Sequence, residues 1–141
     1  MILLYAALAL FGSIAPTLIY VSIAWLLDRY QKEPWWLLLL TFAWGAIPAC
    51  VLAVFSELIV LAPIEMVLPG ELDATPAMFV KAVLSVAIVA PIVEECLKAV
   101  PLFLLFFLFR KEFDGLMDGL LYGALAGFGF AMTENFFYIF S

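Results

Sequence analysis

The stretch Pro91-Ile-Val-Glu94-Glu95-Cys-Leu-Lys98-Ala-Val-Pro101 sets two adjacent carboxylates and a lysine inside a run that is otherwise apolar. An ionisable side chain in hydrocarbon costs several kcal/mol by most estimates, so such residues mark a functional site by default. The surroundings make hydrocarbon the expected solvent. The chain has 141 residues, 68% of them hydrophobic, and a mean hydropathy of +1.22. Soluble domains usually hold about 45–50% apolar residues. The composition therefore predicts an all-α, polytopic membrane helix bundle with about four transmembrane segments. No polar stretch is long enough for a second domain, so residues 1–141 read as a single integral-membrane domain.

Twelve acidic and six basic residues give a formal charge of −6. The acids are scattered and no basic patch suits a nucleic acid, so the bilayer is the expected surrounding. Histidine is absent, which removes the commonest general base and zinc ligand. Cys50 and Cys96 lie in apolar runs without metal-ligand spacing and read as buried free thiols. The N-terminal run lacks the positive region of a signal peptide, so it reads as a retained span.

The segments follow from the apolar runs. The first covers 1–27 and ends at the charged turn Asp28-Arg29-Tyr-Gln-Lys32-Glu33-Pro34, followed by the interfacial anchor Trp35-Trp36. The second covers 35–61, interrupted by Pro48 and by Glu57, which reads as an interfacial acid. An acidic connector is expected over 63–76. The third covers 78–109, about 48 Å as one straight helix, against a hydrocarbon core of about 30 Å. It must tilt, bend or break, and Pro91 and Pro101 are the natural places. In the fourth, 113–140, Gly115, Gly119, Gly123 and Gly127 recur every four residues and predict a smooth ridge for close helix packing. Asp114, Asp118 and Tyr122 form a parallel stripe. Asp114 opens this helix and is suited to cap it, whereas Asp118 lies deeper and is harder to read as a cap.

Arg29, Lys32, Arg110 and Lys111 flank the first and third loops, while the second loop carries three acids, with Lys81 just beyond. The positive-inside rule then predicts cytoplasmic loops at 28–34 and 110–112 and both termini outside.

Glu94 and Lys98 are four apart, in the favourable order for an ion pair. Glu95 points about 100° away from Glu94 around the helix and is not expected to share that lysine well. It needs a proton, a partner from another helix, or a metal, and it suits general acid–base chemistry. Helical rise sets Glu95 about 22 Å above Arg110, and Glu134 about 30 Å above Asp114 on the next, antiparallel helix. Glu94, Glu95, Glu134 and Asn135 are thus expected in one layer, with Asp114 and Asp118 near the cytoplasmic mouth. Asn135 has two readings, a donor to a developing oxyanion or an inter-helix hydrogen bond.

Taken together, Asp28-Arg-Tyr-x-Lys-Glu-Pro34, Glu94-Glu95-x-x-Lys98, Phe113-Asp-Gly-x-x-Asp-Gly-x-x-Tyr-Gly123 and Gly-Phe-Ala-x-x-Glu134-Asn135-x-x-Tyr138 resemble the PrsW family of intramembrane proteases, in the family's order. The resemblance implies an intramembrane endopeptidase, related to the CAAX-protease and bacteriocin-processing group, acting on membrane-anchored proteins such as anti-sigma factors. It implies Glu94 and Glu95 as the catalytic pair and a bacterial-type, multi-pass cell-membrane protein. Asn135 joins them as a catalytic candidate, with Lys98, Asp114, Asp118, Tyr122, Glu134 and Tyr138 in support. The family is grouped with metalloproteases, which makes zinc one possible cofactor, with Glu94, Glu95 and Glu134 as its ligands if any; carboxylates alone suit zinc poorly, and a metal-free glutamate mechanism is the alternative. The family also carries a histidine in a further segment, and this sequence has none. A C-terminally truncated or divergent member is the resulting expectation, with apolar surface left over for a homo-oligomer. Two readings outside proteolysis remain: a proton or cation carrier using the intramembrane carboxylates, and a non-catalytic membrane binding module.

Overall fold

The computed structural model describes residues 1–27, 32–67, 80, 83 and 85–140. It is an all-α bundle: α1 (Ile2–Leu27), α2 (Trp35–Trp44), a π-turn (Gly45–Ala49), α3 (Cys50–Val67), a second π-turn (Ser85–Val89), α4 (Ala90–Leu108) and α5 (Leu116–Phe140). Among the described residues, three helices are long and apolar enough to cross a membrane: Leu3–Leu26, Trp35–Ile59 and Leu116–Phe140. The third expected segment, 78–109, ends in α4, which is long enough but carries Glu94, Glu95 and Lys98 within its 19 residues. The helix through Pro63 runs on to Val67, so the expected connector begins later than 63. The rest of that connector, with Glu71 and Asp73, lies outside the described residues, as do Asp28 and Arg29.

The C-terminal helix α5 is the hub and packs against α1, α2, the first π-turn and α4. In lipid the hydrophobic effect does not drive helices together, so close approach of small residues and inter-helix hydrogen bonds must do so. On α1 the buried stripe is Ala9, Ser13 and Thr17, spaced by four. The hydroxyl of Thr17 donates to the Ser13 carbonyl at 2.8 Å and that of Ser13 to the Leu10 carbonyl at 3.1 Å, so neither polar group is stranded. The closest helix approach falls at Gly45 and Gly129. A Cβ on Gly45 would collide with the Ala126 carbonyl, and one on Gly129 with the Phe42 carbonyl.

The expected four-residue ridge does not make that contact. A Cβ on Gly127 would meet nothing within 4 Å among the described residues, and one on Gly123 would meet only the end of Leu102, at 3.4 Å. Gly119 faces Phe113, and Gly115 precedes the helix and lies beside Asp118. The ridge and the real contact lie on different sides of α5, because α2 approaches the face carrying Ala126 and Gly129. Large apolar side chains cover the outside of the bundle, Leu3, Phe11, Ile59 and Phe107 among them, as a lipid-facing surface requires.

Candidate functional site

Prolines and π-turns shape the backbone around the acidic pair. Pro91 lies in the first turn of α4, directly after the second π-turn. Pro101 lies inside the helix and is buried. It cannot donate to the carbonyl four residues earlier, that of Leu97. The indole Nε1 of Trp44 supplies the missing donor, at 3.0 Å. The first π-turn likewise loosens carbonyls that side chains re-satisfy. The Thr133 hydroxyl donates to Ala46 at 2.7 Å, and the Cys50 thiol to Gly45 at 3.3 Å. Freed backbone groups in a membrane helix need such partners. Ala49, Ala53 and Phe130 form the core beneath, with Trp44, Cys50 and Leu97 packed on it. The helix carrying the acids is thus pinned one residue before Lys98.

Lys98 serves both acids, contrary to the expectation for Glu95. Its Nζ lies 2.8 Å from Glu95 Oε1 and 3.6 Å from Glu94 Oε2. The angles explain this. With Glu94 at zero, Lys98 lies about 40° round and Glu95 about 100°, so the lysine falls between the two acids. Neighbours three apart and four apart both meet on a helix. The Glu95 side chain is 73% exposed and that of Glu94 21%, so Glu95 presents its carboxylate outward while Glu94 is shielded. The Lys98 ammonium also lies over the Phe130 ring, 4.0 Å from its centroid. Four residues further along α5, Glu134 is half-buried and feels the charges of Glu94, Lys98 and Glu57. Glu57, which the sequence alone presents as a plain interfacial acid, is among the charges that reach Glu134. Asn135 lies exposed beside Glu134.

Asp118 and Tyr122 belong to a second cluster, about 12 Å or more along α5 from Phe130 and Glu134 by helical rise. Asp118 is buried, and its Oδ2 accepts the backbone N–H groups of Asp114 at 2.9 Å and Gly115 at 2.7 Å. The capping roles are the reverse of those expected: Asp118 reaches back over the open helix end, as the acid of a capping box does, and Asp114 is exposed. Tyr122 is fully buried and donates its O–H to Glu33 Oε2 at 2.6 Å. The Phe113 ring stacks on it at 6.1 Å. Tyr138 is 78% exposed at the far end of α5.

Sequence reasoning misses Trp44, Thr133 and Phe130, and gives Cys50 no bonding partner. One signal is present, since a proline within a helix strands the carbonyl four residues before it. Nothing in the sequence names the donor that answers it. The expectation of two buried thiols also changes: both cysteines are free, but Cys96 is exposed and Cys50 half-buried.

The donors do not fit a catalytic zinc. Such a site takes three protein ligands, commonly with histidine or cysteine among them. Among the described residues no three His, Cys, Asp or Glu side chains converge to hold a metal. Glu94, Glu95 and Glu134 do not form that set, and an ammonium already lies between the first two. A cavity of about 530 Å³ lined by Thr17, Trp25, Leu38, Phe42 and Leu121 lies on the opposite side of α5. Leu121 and Leu125 are about 180° round that helix from Phe130 and Glu134, so this cavity is not the acidic site.

The model of one protein family, described as PrsW family intramembrane metalloprotease, matches residues 33–141. No curated protein and no solved structure matches the chain.

Proposed function

The chain belongs to the PrsW family of intramembrane metalloproteases, and from that premise we propose that it is an endopeptidase hydrolysing peptide bonds of membrane-anchored, anti-sigma-factor-like proteins, with Glu95 as the general base. The observation that carries this reading is the asymmetry of the pair. Glu95 is exposed, while Glu94 is shielded, and Lys98 bonds to Oε1 of Glu95. The second oxygen of Glu95 remains to take a proton from water.

The steps need only groups of this chain and a bound substrate. Glu95 removes a proton from a water molecule as its oxygen attacks the scissile carbonyl carbon. The carbonyl π electrons pass to oxygen, and Asn135 donates an amide N–H to that oxyanion. As the tetrahedral species collapses, the C–N bond breaks and Glu95 returns the proton to the leaving amine. Lys98 keeps the two carboxylates oriented throughout, and Glu94 balances its charge. The substrate helix must unwind locally to offer its backbone. The family's description includes a metal. The donors of this chain do not form a zinc site among the described residues, and no step above passes through a metal. The bias of Lys32, Arg110 and Lys111 supports cytoplasmic placement of 28–34 and 110–112, with both termini outside.

The test is cleavage of a membrane-anchored reporter by the full-length protein. Glu95→Gln should abolish cleavage and leave thermal unfolding unchanged. Cleavage retained by Glu94→Gln and Glu95→Gln alike would remove the proposal.

A further inference from the structure

The acidic pair already holds a cation. The Lys98 ammonium touches two carboxylates from its own helix and a ring face from another, at 2.8, 3.6 and 4.0 Å. Its side chain is only 18% exposed. The two kinds of contact say different things. Carboxylate oxygens suit either an ammonium or a divalent ion. A phenyl face suits an ammonium, which its quadrupole attracts, and offers a zinc or manganese ion no lone pair. Phe130 is itself 2% exposed and fixed in the core with Ala49 and Ala53, so this seat is built into the packing.

We infer that Lys98 is the resident cation of the Glu94–Glu95 pair and excludes divalent metal from it. A metal ion must first displace the ammonium, which then loses both carboxylates and keeps its positive charge nearby. The inference takes this pair as the functional site, in line with the proposed hydrolysis, but its test reads affinity and no cleavage. Failure of one is therefore distinguishable from failure of the other.

Zinc chloride is titrated into the full chain in detergent and followed by calorimetry. Lys98→Met should bind zinc at least tenfold more tightly than the unaltered chain. The gain should vanish when Glu94→Gln and Glu95→Gln are added. Equal affinity with and without Lys98, whether tight or weak, would overturn the inference, as would a gain that survives loss of both glutamates. Phe130→Leu provides a second route should the lysine variant fail to fold. It removes the ring seat, keeps the charge, and should raise zinc affinity by a smaller factor; no rise would count equally against the inference.

Discussion

Trp44 donates its indole N–H to the carbonyl of Leu97 at 3.0 Å, the carbonyl that Pro101 cannot serve. The two residues are 53 apart in sequence, and the bond fixes the helix turn that carries Lys98. Trp44→Phe keeps an aromatic body and leaves that carbonyl unpaired, which should cost about 1–3 kcal/mol. Equilibrium unfolding in detergent would measure it. The informative comparison is the same change in a Pro101→Ala background. The proline replacement restores a backbone N–H for the Leu97 carbonyl, so Trp44→Phe should cost less there, and a double-mutant cycle should give a coupling of about 0.5 kcal/mol or more. Zero coupling would mean that the indole and the proline are unrelated.

Two glycines two residues apart should behave oppositely. A Cβ on Gly129 would collide with the Phe42 carbonyl and approach the Ala46 nitrogen at 2.8 Å, both backbone atoms that cannot step aside. Gly129→Ala should therefore destabilise the fold by about 1–3 kcal/mol, the usual cost of overpacking. Among the described residues, a Cβ on Gly127 meets nothing within 4 Å. Gly127→Ala should be neutral or stabilising by up to about 1 kcal/mol through helix propensity. Thermal unfolding of the two variants side by side decides this, and equal losses would restore the four-residue ridge as the packing surface.

These two cases also show what the sequence can and cannot convey. Composition and apolar run length identify a membrane bundle, because the bilayer allows few alternatives. Spacing along one helix identifies neighbours, so the Glu94–Lys98 contact is legible. The Glu95–Lys98 contact is equally available, and it is lost when the angle of Glu95 is measured from Glu94 rather than from the lysine. The glycine repeat marks a ridge without naming a partner. The helix that actually closes on α5 does so through Gly45, whose carbonyl and that of Ala46 are rearranged by a π-turn. A π-turn shifts the helical register and carries no periodic signal of its own. Contacts between helices, such as Phe130 with Lys98 or Thr133 with Ala46, depend on that register and are out of reach.

Asp118 and Asp114 should separate in the same way. Asp118 accepts two backbone N–H groups at the open end of α5, and Asp114 contributes only its own N–H to that arrangement. Asp118→Ala should cost about 1–2 kcal/mol, the range for a lost helix cap. Asp114→Ala should fall within about 0.5 kcal/mol of the unaltered protein, as exposed substitutions do. Amide hydrogen exchange offers a local readout: the Asp118 change should speed exchange at residues 114 and 115, and the Asp114 change should leave position 115 unaltered. Equal effects would return the cap to Asp114.

Tyr122 decides whether the second polar cluster takes part in chemistry. Its ring is buried between Leu37 and Leu105 and stacks on Phe113, and its hydroxyl reaches Glu33 at 2.6 Å. Tyr122→Phe preserves the ring contacts and removes one hydrogen bond to a carboxylate. Such bonds contribute about 1.5–3 kcal/mol, and the partial exposure of Glu33 sets the expectation at the lower end. The acidic pair lies about 12 Å or more further along α5 by helical rise, so cleavage per folded molecule should be unchanged even as the unfolding midpoint falls. Measuring both on one preparation separates the roles. A lower midpoint with full specific activity makes Tyr122 a tie between the 32–34 segment and α5. A loss of cleavage at an unchanged midpoint would instead bring Tyr122 and Glu33 into the reaction and require a substrate path that passes both clusters.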